Sequence, residues 1–76
     1  MQVEEVRRYT LDAWEWAGLL GLPLRILERL EKETVMITVE VTDGGGSTSY
    51  RAEMERLVQL LYRMAGEKPP DEPDQS

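Results

Sequence analysis

The sequence predicts a small, mostly helical α+β domain. Three observations carry this reading. Two short apolar-patterned segments flank Gly21-Leu22-Pro23. A strictly alternating stretch runs from Thr34 to Thr42. A helical stripe of apolar residues ends at Ala65. A chain of 76 residues holds one domain, close to the smallest size that supports its own core. With 41% hydrophobic residues it has the material for a compact fold. There is no cysteine, so neither a disulfide nor a thiolate metal site can reinforce it. A partner or an oligomer is the expected source of extra stability.

Residues Met1 to Tyr9 leave two readings open. Val3 and Val6 suit a helix turn, whereas Val3 with Tyr9 suits a short extended arm. Thr10 is placed as a helix cap, with Leu11 the first buried residue and Asp12 near the positive end of the helix dipole. Leu11 to Leu20 is then a first helix. Gly21-Leu22-Pro23 breaks it, because proline suits the first position of a new helix and pushes the preceding residue out of helical conformation. Leu24 to Lys32 is the second helix. Val35, Ile37, Val39 and Val41 alternate with Met36, Thr38, Glu40 and Thr42, which is the period of a strand with one apolar face. Asp43-Gly44-Gly45-Gly46 is a turn, and Ser47, Thr48 and Ser49 form a short return strand or cap the next helix. In that helix Met54, Leu57, Val58, Leu61, Met64 and Ala65 make the buried stripe, and Gly66 is its stop. The domain is therefore expected over 1–66. Residues 67–76, with three prolines and no apolar anchor, are expected to be a disordered acidic tail.

The net charge is −6, of which the stretch from Gly66 to Ser76 contributes −3. Such a balance disfavours nonspecific attachment to phosphate backbones and makes a basic protein surface the natural partner. No apolar run reaches the roughly 18 residues of a membrane span, and no secretory signal is visible. A cytoplasmic location without membrane contact is the expectation. Catalysis has little material, since histidine and cysteine are both absent. Glu28, Glu31, Glu33, Glu40 and Asp43 do not fall at a recognisable cation-binding spacing, so no metal or cofactor is expected. Asp43 to Thr48 lacks the lysine of a phosphate-binding loop.

The one constellation with functional content lies between Ala13 and Lys32. Ala17 supplies a small residue where two helices cross, and Gly21 follows four residues later in the turn. Trp16, Leu20, Leu22, Leu27 and Leu30 supply apolar residues around it. This is the pattern of a helix-turn-helix, although a generic helical hairpin imitates it. Tyr9-Thr10-Leu11 followed by Trp16 to Pro23, then Asp43-Gly44 and Tyr50 to Leu57, resembles the MerR-like winged helix-turn-helix superfamily. The resemblance covers roughly Tyr9 to Met64. It implies a winged helix-turn-helix-like single domain with one clear strand or wing and a C-terminal helix. Within that superfamily the chain looks most like the small chaperone modulators. The implied function is then non-enzymatic: binding a DnaJ-type co-chaperone through its J-domain and regulating or assembling the DnaK–DnaJ system. A small DNA-binding regulator or excisionase-like factor is the alternative.

The second helix weighs protein against DNA. Its outward positions are Leu24, Arg25, Glu28, Arg29 and Lys32. The three cations could serve DNA. Leu24 cannot hydrogen-bond a base edge, and Glu28 and Glu31 repel phosphates. A merely solvated face with internal ion pairs gives the same pattern. Trp14 and Trp16 lie about 200° apart on one helix, so only one can face the core. Trp16 takes the inward position; Trp14 points outward or packs against the last helix, and exposed tryptophans are enriched at binding hot spots. The candidate partner-binding residues are thus Trp14, Leu24, Arg25, Glu28, Arg29 and Lys32. A third possibility is a homodimer in which the strand 34–42 pairs with its two-fold mate, since a lone strand leaves backbone groups unpaired. The spacing of Tyr50, Met54, Leu57, Leu61 and Met64 fits a short coiled-coil seam or simple core packing equally well.

Overall fold

A computed structural model describes residues 5–43 and 47–70. The element order is β1 (Glu5–Asp12), α1 (Ala13–Leu19), α2 (Leu24–Glu31), β2 (Met36–Asp43) and α3 (Ser47–Met64). The architecture is α+β, with a two-stranded antiparallel sheet and three helices. The expected turn at Gly44 to Gly46 and the tail from Asp71 onward lie outside the described residues, as does Val3.

The first correction concerns the start of α1. Thr10 and Leu11 are not its cap and first turn; they belong to β1, where Thr10 stands opposite Thr38 and Leu11 opposite Ile37. Pairing with β2 holds this segment extended, and the switch to helix comes two residues later. Asp12 is the cap, in extended conformation with ψ 150. Its side chain accepts from the Trp14 amide at a long 3.5 Å, while Glu15 Oε1 accepts from the Asp12 amide at 3.1 Å. The spacing Asp12-x-x-Glu15 is a capping box, in which two otherwise unpaired groups satisfy each other. Of the two readings of the N-terminal segment, the extended one holds from Glu5 onward.

β1 also removes the reason for expecting an unpaired strand. Register runs from Glu5 opposite Asp43 to Asp12 opposite Met36, so one edge of β2 is satisfied within the chain. A return strand at Ser47 to Ser49 is excluded, because α3 begins at Ser47. The alternation read in β2 has the expected sense. Val39 is buried and Ile37 and Val41 are partly buried, while the opposite face is polar: Thr10 and Thr38 hydroxyls meet at 2.7 Å and Arg8 pairs with Glu40 at 3.4 Å.

Two glycines end helices by the same device. Gly21 has φ +75 and Gly66 has φ +82, both in the left-handed region. After α1, the Leu22 amide donates to the Ala17 carbonyl at 3.0 Å and the Gly21 amide to Gly18 at 3.2 Å. After α3, Glu67 donates to Tyr62 and Gly66 to Arg63, both at 2.9 Å. Each pair is a Schellman motif, satisfying carbonyls that would otherwise be orphaned at the helix end. Pro23 is the residue before α2 rather than its first helical position. Its carbonyl accepts from Ile26 at 2.9 Å.

One core joins all three helices to β2. Its buried members are Ala13, Trp16 and Ala17 of α1, Ile26 and Leu30 of α2, Val39 of β2, Leu57, Leu61 and Tyr62 of α3, and Ala65 just beyond it. Trp16 reaches across to β2, its indole Nε1 donating to the Ile37 carbonyl at 2.9 Å. The expected cluster is thus met by Trp16, Ala17 and Leu30, whereas Leu20, Leu22 and Leu27 only pack against its margin. Ile26, absent from the expected set, is fully buried and supplies the centre of α2. On α3, Tyr62 is buried and Met64 is exposed. The stripe therefore runs 54, 57, 58, 61, 62, 65, the regular three- and four-residue steps of a helix face. Among the described residues no helix is long and apolar enough to cross a membrane.

Candidate partner-binding face of the first two helices

Of the six candidate residues Trp14 lies on α1, Leu24, Arg25, Glu28 and Arg29 lie on α2, and Lys32 caps the C-terminus of α2; none belongs to the core. Trp14 follows the Asp12 cap by two residues and is 40% exposed, in contrast to Trp16 at 6%. Of the two expected environments for Trp14, an outward one fits this exposure. Leu24 opens α2 and is 69% exposed. Glu28 and Lys32 are exposed, and among the described residues neither has an ion-pair partner.

Arg25 and Arg29 behave differently. The structure brings them together on a single carboxylate, that of Glu67. Arg25 Nε donates to both Glu67 oxygens at 3.2 and 3.1 Å, and a terminal guanidinium nitrogen adds a third contact at 3.1 Å. Arg29 approaches the same carboxylate at 3.4 Å and donates to the Ala65 carbonyl at 2.9 Å. Guanidinium groups match a carboxylate in this forked geometry, and a cation at the C-terminal end of α3 also meets the negative end of its dipole. The Arg25 hydrogen bond holds the Glu67 carboxyl below its ordinary pKa, against a smaller opposing effect of desolvation. The same contact raises Arg25.

Glu67 is the neighbour of the candidate face that the sequence pattern does not reveal. It falls in the segment read as a disordered tail, yet Glu67 is held by two arginines and Pro69 is buried. The left-handed turn at Gly66 explains the placement, since it reverses the chain at the end of α3 and delivers the next side chain over α2. The partner lies 42 residues from Arg25, beyond the reach of any local pattern. An acid directly after a helix-stopping glycine, with two arginines a turn apart elsewhere, was the available signal.

The contacts also divide α2 lengthwise. On the side of α3, Arg25 and Arg29 meet Glu67 and Ala65. On the side of α1, a side chain at Gly18 would touch Leu27, whose Cδ2 lies 3.7 Å from the position of a Cβ there. At 100° per residue, Leu24, Leu27, Glu28 and Glu31 share an arc of about 100° turned away from the arginines. Leu19, near the end of α1, is 72% exposed and was not singled out from the sequence. Comparison with protein-family models, curated proteins and solved structures returns no match to this chain.

Proposed function

We propose that the chain is a non-catalytic binding module that grips a protein partner through the exposed faces of α1 and α2. One observation carries the reading. Arg25 and Arg29, the cations a DNA reader would use at this position, are engaged by the chain's own Glu67, while Leu24, on the side of α2 turned away from them, stands open to solvent. A base edge offers Leu24 no hydrogen bond, and an exposed leucine on α2 together with an exposed tryptophan on α1 is a better match for an apolar protein surface. The α1–turn–α2 unit, with Ala17 at the crossing and Gly21 in the turn, is read as a helix-turn-helix of MerR-like winged type. On that resemblance the J-domain of a DnaJ-type co-chaperone is the first partner to test.

The test is a pair of titrations at near-physiological salt, one with a purified J-domain and one with duplex DNA. Leu24→Asp or Trp14→Ala is expected to damage J-domain binding with the fold intact. Arg25→Ala combined with Arg29→Ala is expected to matter less. Tight, sequence-selective DNA binding that depends on Arg25 and Arg29 would overturn the proposal.

A further inference from the structure

The protein-binding reading leaves open what chemistry the partner presents, and the division of α2 answers that. Trp14 and Gly18 are one helical turn apart on α1, so they share a face. Gly18 lies against Leu27 of α2. Leu24 lies one turn before Leu27. These four residues make a continuous apolar strip in which Trp14 and Leu24 are exposed and Leu27 is partly covered. Gly18 leaves a notch in it, because it presents no side chain. Glu28 and Glu31 edge the strip, and among the described residues neither has an ion-pair partner. The two arginines of α2 are turned to the other side and held by Glu67. Lys32, the C-cap of α2, stands outside that contact and follows Glu28 by a turn.

We propose that this strip is the docking site for a basic amphipathic helix of the protein partner. The inference rests on the protein-binding reading and adds the partner's chemistry. An amphipathic helix presents apolar side chains at three- and four-residue steps, which suits a narrow side-chain strip with one notch. The carboxylate edge and the net charge of −6 select lysine and arginine on its flanks. A second copy of this chain would bring the same acids to the contact and is disfavoured by like charge.

The full chain, labelled with nitrogen-15, is titrated with a designed helix of about five turns, leucine on one face and lysine and arginine on the rest. A counterpart with glutamate in place of the cations serves as the comparison. Binding of the basic helix should shift the amides of Trp14, Gly18, Leu24 and Leu27, and should weaken with salt. Glu28→Lys with Glu31→Lys should weaken it by about tenfold or more. Gly18→Gln should fill the notch and weaken binding by a similar factor of about ten while leaving the melting temperature equal or higher, since glutamine favours a helix over glycine. That variant separates loss of the site from loss of the fold. Equal or tighter binding of the acidic helix at the same residues would overturn the basic-partner inference and leave the protein-binding reading standing. Shifts centred instead on Val6 and Tyr9, or on Leu60 and Met64, would overturn both. No response to either helix, or shifts that grow with protein concentration alone, would overturn the inference; the J-domain and DNA titrations then judge the broader reading independently.

Discussion

Gly18 and Gly21 stand three residues apart, and replacing each by alanine should move stability in opposite directions. Gly18 is inside α1 with an ordinary helical φ, and a Cβ there would meet Leu27 at 3.7 Å, a normal contact. Alanine exceeds glycine by about 0.5–1 kcal/mol within a helix, and a position this near the helix end recovers the lower part of that range. Gly21 has φ +75, with nothing within 4 Å of an added Cβ. Any cost at Gly21 is therefore backbone strain and not collision. A left-handed residue with a side chain costs roughly 1–2 kcal/mol, offset by about 0.5 kcal/mol from a stiffer unfolded chain. The net loss is roughly 1 kcal/mol, so the two variants should differ by about 1.5 kcal/mol. In a domain of this size about 1 kcal/mol corresponds to 4–8 °C in melting temperature. Thermal and urea unfolding followed by far-ultraviolet circular dichroism resolves such shifts. Gly21→Ala should melt below the parent and Gly18→Ala slightly above it. Gly21→Asn should fall between Gly21→Ala and the parent, because asparagine tolerates this conformation better. If Gly21→Ala melted at or above the parent, the Schellman turn between α1 and α2 would be misassigned, and with it the geometry of the proposed face.

Three further outcomes follow from the same contacts. Glu67→Gln should lower stability at neutral pH. Because Arg25 holds the folded-state pKa of Glu67 below its unfolded value, the contribution is complete above the ordinary carboxylate range and is lost as pH falls through the lowered value. Unfolding curves of parent and variant should therefore converge in acid, and a gap that persists there would assign the effect to something other than charge. Ile26→Ala should cost about 2–5 kcal/mol, because Ile26 is fully buried and leaves a cavity against Leu61 and its neighbours. Against the roughly 4–11 kcal/mol expected for a domain of this length, that is a large share, and Ile26→Val should retain most of the stability. Ending the chain after Gly66 should lower the melting temperature, since it removes the carboxylate from both arginines and uncovers the surface under Pro69; an unchanged transition would show that these contacts add nothing.

What could be read from the sequence was what repeats or sits locally. The alternation of Val35 to Val41, the glycine stops at Gly21 and Gly66 and the outward set on α2 each follow from one short window. The first turn of α1 was misplaced because Thr10 and Asp12 are both good caps, and local preference does not decide between them. A pairing partner decided it: Thr10 stands opposite Thr38, and that ladder consumes the residues a longer helix would have used. The same cause explains Ile26. Ile26 and Leu27 are adjacent apolar residues of α2, and the packing of the other helices on α2 determines which of the two is enclosed.

Long-range electrostatics were the least accessible, and they bear most on function. From sequence alone, Arg25, Arg29 and Lys32 form one basic face that DNA could use. In the folded chain the turn at Gly66 sends Glu67 back onto two of those three cations, so that face splits. Its two arginines share one internal carboxylate while staying more than half exposed, whereas Leu24, Glu28 and the neighbouring Glu31 are exposed on the other side of the helix. The residues expected to face outward on α2 are exposed, but so is Glu31, which that set omits, and their grouping is not legible in the sequence, because a set of exposed residues becomes a surface only when its internal partners are known. The two arginines share one carboxylate, so one net positive charge remains, and an incoming phosphate that competes with Glu67 for them gains less than from two free guanidinium groups. An apolar strip edged with carboxylates that have no ion-pair partner among the described residues carries no such internal competitor, and this difference, rather than the sign of the net charge, is the stronger physical argument for the proposed protein partner.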